Sequence, residues 1–268
     1  MKKLTLWTIT IIASILLVAC ASTQKKETNS TSSLLTKIKK KGVLKIGTEG
    51  TYAPYTYHDA SGKLVGYDVE VAEKVAEKLG VKAEFIETEW DSIIAGLDAG
   101  RFDVIANQVG ITDERNEKYD FSTPYTYIYG AVITSKDNTD IKTFSDANGK
   151  KSANSLTSNW AEIAKEKGAE IVGVDGFQQA IELIASKRAD LTINDNVAYL
   201  DYVKQHPDAP IKVVTLSEEA QGTALPVVKG NEDLVKAINQ ALKELDEEGT
   251  LTELSKKYFG EDVSHPKK

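Results

Sequence analysis

Two segments of the chain share one pattern, and this pattern restricts the fold more than any other feature. WDSIIAGLDAGRFDVIANQ (90–108) aligns without gaps to FQQAIELIASKRADLTIND (177–195) at an offset of 87 residues. Each segment predicts a helix, a basic turn and a buried strand. Chance similarity between two ordinary α/β units is the alternative to a true repeat. If the repeat is real, Gln108 and Asp195 end equivalent strands and face a shared cleft.

The hydrophobic pattern outside the repeat alternates in the same way. Strands are predicted at 43–46, 82–86, 103–106, 130–134, 170–174, 190–193 and 211–214. Helices are predicted before Gly80, from Asp91 to Gly100, near 159–167, 177–186 and 196–205, from Leu234 to Leu245 and from Thr250 to Tyr258. Alternation of this kind indicates a mostly parallel sheet covered by helices on both faces. The predicted fold class is therefore α/β.

The last third of the chain is predicted to return to the first lobe. Lobe 1 is accordingly discontinuous and comprises residues 42–132 and 225–262, whereas lobe 2 comprises residues 133–224. Crossovers near 131–135 and 222–226 are predicted to form two parallel hinge strands. Closure of two domains usually pivots on a few residues of this kind.

The first twenty residues have the features of an export signal. Lys2 and Lys3 form a positive n-region, and residues 4–18 form an apolar run of fifteen residues. This run is shorter than the roughly 20 residues needed to span a bilayer. The sequence that ends it, Ala19-Cys20, resembles a bacterial lipobox, in which the cysteine is acylated and becomes the new N-terminus. A plain signal peptide or a membrane anchor is the alternative.

These features predict an exported lipoprotein. Residues 1–19 are the predicted signal peptide, and residues 20–41 are the predicted acylated cysteine with a flexible tether, since ASTQKKETNSTSS is polar and low in complexity. Acyl chains on Cys20 would hold the protein at the outer face of the cell membrane. Cys20 is also the one cysteine of the chain, so an internal disulfide is excluded.

Composition and motifs exclude several classes of function. The formal net charge is −7, which is unsuited to binding nucleic acid. The sequence contains no HExxH, GxSxG, P-loop or GxGxxG motif, and its three histidines are far apart. We therefore predict no catalytic residue, no metal site and no cofactor.

Charged residues at the predicted cleft match the needs of a zwitterionic α-amino acid. Arg115 follows the strand at 103–106 and could bind a carboxylate bidentately, helped by the N–H groups of Thr157-Ser158-Asn159, just before a helix predicted to begin near Trp160. Asp195 ends an apolar strand and could bind the ammonium group. Each has a structural alternative: a local ion pair for Arg115, ordinary capping for Ser158, and a buried ion pair for Asp195.

Aromatic side chains are predicted beside these charges. Trp90 and Trp160 lie at strand-to-helix junctions on the cleft side, together with Tyr52 of GTEGTYAPY. Aromatic walls with a few polar groups are usual in small-molecule pockets. Packing in the core is the alternative for each of them, and the sequence favours it more for Trp160 than for Trp90.

Three longer stretches resemble the polar amino-acid solute-binding proteins of ABC importers. They are GVLKIGTEGTYAPYTYHDASGKLVGYDVEVAEKVAEKLG, FDVIANQVGITDERNEKYDFSTPY and EEGTLTELSKKYFG, and the similarity spans about residues 36–262. The resemblance implies a two-lobed fold of the type II periplasmic-binding-protein kind, joined by two hinge strands. It also implies a monomer that is not an enzyme and that has an ABC permease and ATPase complex as its partner.

The same resemblance implies roles for individual residues. Arg115 clamps the α-carboxylate of the ligand with backbone N–H groups near Ser158 and Asn159. Asp195 takes the α-ammonium group, assisted by the Gln108 carbonyl. The pocket for the side chain of the ligand is lined by Glu49, Tyr52 and Trp90.

One departure from the family bears on the choice of ligand. Many relatives carry serines where this chain has Asn107-Gln108-Val109-Gly110, so Gly110 lacks a hydroxyl for the ammonium group. ANQV followed by TSNW resembles the cystine-binding branch of the family. Cystine is two zwitterions joined by a disulfide, and the amides of Asn107 and Gln108 would suit its second half. Glutamine, asparagine or a basic amino acid would also suit them, whereas Glu49 argues against an acidic ligand.

Two other functions are compatible with such lobes. Extracellular cyclohexadienyl dehydratases have the same fold, and in such an enzyme Glu49 or Asp195 would be the acid catalyst. A sensor or adhesion lipoprotein would use the binding lobes without a permease. We expect the importer function because the sequence has no additional domain for signalling.

Overall fold

The computed structural model describes residues 32–267, and from Ser33 onward the chain forms one compact unit. Its helices are α1 (Leu34–Lys41), α2 (Tyr67–Lys78), α3 (Trp90–Asp98), α4 (Asp113–Lys118), α5 (Asn159–Glu166), α6 (Phe177–Ala185), α7 (Asn196–Gln205), α8 (Glu232–Glu247) and α9 (Thr250–Phe259), with a short 3-10 turn at Phe144–Ala147. Within this described part of the chain, each helix is too short or too polar to cross a membrane.

The strands alternate with these helices along most of the chain. They are β1 (Val43–Thr48), β2 (Thr51–Tyr52), β3 (Thr56–His58), β4 (Leu64–Val65), β5 (Lys82–Glu87), β6 (Val104–Ile105), β7 (Tyr119–Phe121), β8 (Thr126–Ile128), β9 (Gly130–Ser135), β10 (Lys151–Asn154), β11 (Glu170–Gly173), β12 (Leu191–Asp195), β13 (Ile211–Leu216), β14 (Gln221–Thr223) and β15 (Pro226–Val228). The α/β fold class predicted from the sequence is confirmed.

Each lobe is built on its own sheet. The sheet of lobe 1 has the order β5-β1-β6, and its strands are all parallel. The sheet of lobe 2 has the order β11-β10-β12-β9-β13, in which β10 is parallel to β11 and β12. In contrast, β9 runs antiparallel to both of its neighbours, so the second sheet is mixed. The sequence did not predict the mixed sheet, because hydrophobic periodicity does not indicate the direction in which a strand runs.

Two short antiparallel pairs occur in the segments of chain that link the two sheets. β8 pairs with β14, and β7 pairs with β15. The prediction of two parallel hinge strands is wrong, because the linking strands are antiparallel and residues 131–135 belong to β9. Since β9 begins at Gly130 and is continuous within the second sheet, the predicted lobe boundary between 132 and 133 falls inside a strand. The chain passes from one lobe to the other just before Gly130.

Helix α1 occupies the end of the predicted tether. The Ser33 side chain caps the helix by accepting a hydrogen bond from the Thr36 N–H (3.2 Å), and Gly42 ends it with a φ of 70°. Ile38 is buried in the core of the described chain. A tether that extends to residue 41 is therefore wrong, because the apolar face of this segment packs on lobe 1. The predicted signal peptide and Cys20 lie outside the described residues.

The repeat predicted from the sequence is present in the structure. α3 and α6 begin and end at equivalent residues, and the strands β6 and β12 follow at equivalent places. Helical spacing is also confirmed in α8, where Leu234, Ile238, Leu242 and Leu245 are all buried. Burial of such a side chain contributes roughly 1.5–3 kcal/mol. The repeated units thus bring the ends of β6 and β12 to a common cleft.

Candidate functional site

A cleft lies between the lobes, and its lining combines aromatic side chains with a few polar groups, as is usual for ligand pockets. Lobe 1 contributes Glu49, Thr51, Tyr52, Trp90, Asn107 and Gln108 to its lining. Lobe 2 contributes Ala153, Asn154, Ser155, Ser158, Asn159, Trp160, Val174, Gly176, Phe177, Ala180, Asn194 and Asp195. The structure therefore brings most of the predicted ligand-binding residues to one place.

Asp195 is a buried carboxylate held by neutral donors. It is only 2% exposed and lies between β12 and α7. Tyr52 Oη of lobe 1 donates to it at 2.8 Å, and Trp160 Nε1 donates at 2.8 Å. Burial raises the pKa of Asp195 to about 6, although these hydrogen bonds lower it. No lysine or arginine of the described chain pairs with this carboxylate, so the local electrostatics favour a cationic ligand group.

Arg115 lies behind the wall of the cleft and is 8% exposed. Thr112, a residue type favoured at helix N-termini, caps α4 by accepting a hydrogen bond from the Arg115 N–H at 3.2 Å. The guanidinium donates to the Gly110 carbonyl (2.9 Å) and the Thr157 carbonyl (3.1 Å), and it lies over the Trp90 ring at 5.6 Å. Burial lowers its pKa. The local ion pair considered from the sequence is absent among the residues that the structure describes.

The start of α5 completes the side of the cleft nearest Arg115. Ser158 is the N-cap, and its hydroxyl accepts a hydrogen bond from the Ala161 N–H at 3.1 Å. The first N–H groups of a helix, here those of Asn159 and Trp160, have no acceptor within the helix and face outward from its end. An anion is favoured at such a position by these donors and by the helix dipole.

Asn107 orients a second acid, Glu49. Its amide oxygen accepts a hydrogen bond from the Glu49 N–H at 2.7 Å, and its amide nitrogen donates to the Glu49 carboxylate at 2.5 Å. Burial raises the pKa of Glu49 to about 7, with a further increase from Asp91 and a decrease from the Asn107 bond. The Asn107 side chain is thus engaged within the protein, where it contacts both the main chain and the carboxylate of Glu49.

The amide of Gln108 is also engaged within the protein. Its N–H and its side-chain Nε2 donate to the two carboxylate oxygens of Asp68 at 2.6 and 2.7 Å, and its Oε1 accepts from Thr223 at 3.0 Å. Gln108 has a φ of 50°, a left-handed conformation that is uncommon for residues other than glycine. Asp68 is 0% exposed, and burial raises its pKa to about 7. The sequence hypothesis had instead directed this amide to the second half of the ligand.

Gly110 lies outside the cleft lining. It pairs with Thr223 in an isolated bridge, and its carbonyl accepts from Arg115. A Cβ atom at this position would lie 2.7 Å from Nε2 of Gln221. A serine would therefore require Gln221 to move, and the predicted place of residue 110 at the ligand ammonium is not reproduced.

Sequence reasoning missed several cleft residues that the repeat could have identified. Phe177 and Asn194 line the cleft, and they are the counterparts of Trp90 and Asn107 at the same offset. Trp160, for which core packing was favoured, has both roles, because it packs in the core and donates a hydrogen bond to Asp195.

Sequence comparison identifies relatives across nearly the whole chain. Residues 44–261 match the bacterial extracellular solute-binding proteins, family 3. The L-cystine-binding protein TcyA of Bacillus subtilis (strain 168) is 48% identical over 268 residues, which cover 98% of this chain and 100% of that protein. The L-cystine-binding protein TcyJ of Escherichia coli (strain K12) is 41% identical, with 86% and 88% covered.

Solved structures add information on the arrangement of the lobes. An ancestral arginine-binding protein bound to arginine superposes with a TM-score of 0.77 at 38% identity, covering 82% of this chain and 99% of that one. The L-cystine solute receptor of Neisseria gonorrhoeae, in the unliganded open conformation, gives a TM-score of 0.59 at 50% identity, covering 87% and 100%. The more similar sequence superposes less well. The lobes here are therefore arranged more like the ligand-bound protein than the open one.

These relatives are binding proteins rather than enzymes, which favours a binding role over the dehydratase alternative. The two-lobed α/β fold and the buried charges at the cleft agree with that role. The chain belongs to the bacterial extracellular solute-binding proteins of family 3.

Proposed function

We propose that this protein binds L-cystine in the interlobe cleft and delivers it to an ABC permease while anchored by lipid on Cys20. The observation that carries the proposal is the distribution of charge in the cleft. Asp195 is a buried acid without a cationic partner in the described chain, and Arg115 with the start of α5 forms a cationic region nearby. These are the two complements of a zwitterion.

One half of cystine occupies this zwitterion site. Its α-ammonium group binds Asp195, and its α-carboxylate binds the N–H groups of Asn159 and Trp160 at the start of α5, with Arg115 behind them. Hydrogen bonds to charged groups contribute about 1.5–3 kcal/mol each. The Gln108 carbonyl assists at the ammonium group, and the bonds from Gln108 to Asp68 support this main-chain position.

The other half of cystine extends toward Glu49. Glu49 accepts a hydrogen bond from the second ammonium group, and Asn107 keeps the Glu49 carboxylate in position. Tyr52, Trp90 and Phe177 supply aromatic surface around the disulfide, where sulfur–aromatic contacts contribute about 0.3–1.5 kcal/mol. Relatives that are named L-cystine-binding proteins support this ligand over other amino acids.

Arginine is the second candidate ligand. Structural neighbours include an ancestral protein bound to arginine and the same kind of protein bound to glutamine. The Glu49 carboxylate would suit a guanidinium as well as an ammonium group. A zwitterion site is common to both ligands, so the choice between them depends on the far end of the cleft.

Tryptophan fluorescence tests the proposal. In residues 21–268, which contain the whole compact unit, the tryptophans are Trp90 and Trp160, and both line the cleft. After unfolding and refolding to remove carried-over ligand, cystine is expected to give a saturable change at micromolar concentration. Saturation by arginine alone would discard cystine and retain the amino-acid site. Absence of binding for every amino acid in calorimetry would contradict the proposal.

The anchor has a separate test. Metabolic labelling with palmitate is expected to mark the full chain and to be lost in Cys20→Ser. Labelling that persists in Cys20→Ser would contradict the anchor. We propose that the protein acts as a monomer toward its permease.

A further inference from the structure

A group of hydrogen bonds joins the lobes outside the cleft. Asp91, in the first turn of α3 in lobe 1, accepts from the Leu156 N–H at 3.2 Å, from the Thr157 N–H at 2.9 Å and from Thr157 Oγ1 at 2.8 Å. Asp91, Leu156 and Thr157 do not belong to the lining of the cleft. These contacts are consequently distinct from the site proposed for the ligand.

Lobe 1 contacts both the N–H and the carbonyl of Thr157. Its N–H donates to Asp91, and its carbonyl accepts from the Arg115 guanidinium at 3.1 Å. The loop 155–158 continues directly into α5, whose first residues line the cleft. The position of Thr157 therefore fixes where the N–H donors at the start of α5 lie.

Asp91 is not explained as a cap of its own helix. An acid in the first turn is favourable to the dipole of α3, yet each hydrogen bond that the structure gives to the Asp91 side chain goes to lobe 2. These bonds can exist only when the lobes are together. A contact that exists in one of two states stabilises that state by its full free energy.

We propose that Asp91 is a positioning residue, forming with Leu156 and Thr157 an interlobe latch that keeps loop 155–158 against lobe 1 and sets how long a bound amino acid stays in the cleft. The inference rests on the proposed function, because it requires an amino-acid ligand. The ligand enters the open protein before the latch forms and leaves only after it breaks. The latch therefore acts on the dissociation rate, and it acts equally on ligands with different side chains.

Stopped-flow fluorescence with cystine tests this inference. Asp91→Ala is expected to raise koff about tenfold, the equivalent of ~1.4 kcal/mol, and to change kon less than about twofold. Because Asp91 also raises the pKa of Glu49, the ratio of cystine affinity to arginine affinity is compared in Glu49→Gln and in the double variant Asp91→Ala, Glu49→Gln. In the Glu49→Gln background, Asp91→Ala is expected to leave that ratio constant, and a changed ratio there would overturn the latch.

Two further variants separate the latch from a structural role. Asp113→Ala is the matched control, since Asp113 is also an exposed acid in a first helical turn and makes no described contact with lobe 2. It is expected to leave koff unchanged. Thr157→Val removes one of the three bonds and is expected to raise koff about threefold, and the double variant is expected to resemble Asp91→Ala alone. Additive effects would show that the two residues do not act on each other.

The result that overturns the latch is a koff in Asp91→Ala within twofold of the wild type. The latch would also be overturned if Asp91→Ala lowered the unfolding temperature of the ligand-free protein as much as that of the ligand-bound protein, because Asp91 would then be a structural residue. If the wild-type protein binds no amino acid, the proposed function fails. The latch is then overturned as well, because it requires a bound amino acid, whereas amino-acid binding by the wild type with an unchanged koff in Asp91→Ala refutes the latch alone.

Discussion

The segments 90–108 and 177–195 form the same helix–turn–strand unit in the two lobes. Their last residues, Gln108 and Asp195, differ in charge and in what they contact. In both, a nine-residue helix is followed by a turn with one left-handed residue, Gly100 at φ 67° or Lys187 at φ 58°. The turn leads into a buried strand that points at the cleft. A common scaffold therefore serves both lobes.

The agreement extends to individual hydrogen bonds. Asp103 N–H donates to the Lys45 carbonyl and its carboxylate accepts from the Lys45 N–H, both at 2.9 Å. Asp190 makes the same two bonds with Lys151, both at 2.8 Å. Each aspartate thereby fixes its strand to the neighbouring strand of the sheet. These bonds explain why an acid stands at the start of each buried strand.

The difference is confined to the ends of the strands. Gln108 is neutral, left-handed and bonded to the buried Asp68, so its side chain serves the structure. Asp195 is an acid with neutral donors only, among the described residues, and it faces the cleft. One end of the repeat therefore supports the main chain, while the other places a buried acid at the cleft.

Removal of the charge at the lobe 2 end is expected to have the largest effect. Asp195→Asn should weaken cystine binding about 1,000-fold, because a buried ammonium group would lose its counter-charge, a loss of about 3–5 kcal/mol. The unfolding temperature of the ligand-free protein should change little, because the buried charge is removed and Tyr52 Oη keeps Asn194 Oδ1 as an acceptor at 2.7 Å. Calorimetry and thermal melts check both results. Affinity within tenfold of the wild type would show that the two strand ends do not differ as described.

The stability of the ligand-free protein depends on pH through three buried acids, Asp195, Asp68 and Glu49. Asp195 ends β12, and Asp68 accepts hydrogen bonds from Gln108, which follows β6. Burial raises the pKa values of Asp195 to about 6 and of Asp68 and Glu49 to about 7, from 3.8 for Asp and 4.5 for Glu. Their contribution to stability is full below about pH 4 and is lost as the pH rises through 6 and 7.

The ligand-free protein should thus lose about 3 kcal/mol of unfolding free energy between pH 6 and pH 8. Cystine affinity should change in the opposite direction and fall below about pH 7, because Glu49 and Asp195 must both be ionised to bind the two ammonium groups. Urea unfolding and calorimetry across this range measure both. Parallel trends in the two quantities would contradict these assignments.

Disruption of the lobe 1 end should cost stability and leave ligand preference intact. In Asp68→Asn, an amide cannot accept both hydrogen bonds from Gln108, and a buried donor loses its acceptor. We expect a loss of about 2 kcal/mol in urea unfolding at pH 8. The relative affinities for cystine and arginine should not change. A shift of that ratio would indicate that Asp68 acts on the ligand directly.

The two left-handed turn residues should give the smallest effects, and these should have opposite signs. Gly100→Ala should lower the unfolding free energy by about 1 kcal/mol, because the conformation is strained for alanine and no atom lies near the new Cβ. Lys187→Gly should raise it by about 0.5 kcal/mol, since relief of strain exceeds the loss of an exposed ion pair with Asp137. Effects of equal sign would show that the turns are not equivalent.

The sequence predicted features that local pattern determines. Periodicity predicts the approximate bounds of α3 and α6, and residue type favours Thr112 as the cap of α4. The repeat predicts that Asp195 faces the cleft. The pairing of Gln108 with Asp68 was not predictable, because only the fold brings these residues together. Helix α1 was also missed, since its lysine-rich sequence resembles a tether and its order depends on burial of Ile38 in the core.

A crystal structure of the protein with cystine tests the central claim most directly. It is expected to show one α-ammonium group within hydrogen-bond distance of Asp195 and the adjoining carboxylate at the start of α5, beside Arg115. The second ammonium group is expected at Glu49. A cystine molecule bound with its carboxylate toward Asp195, or bound outside the cleft, would contradict the division of roles between the two strand ends.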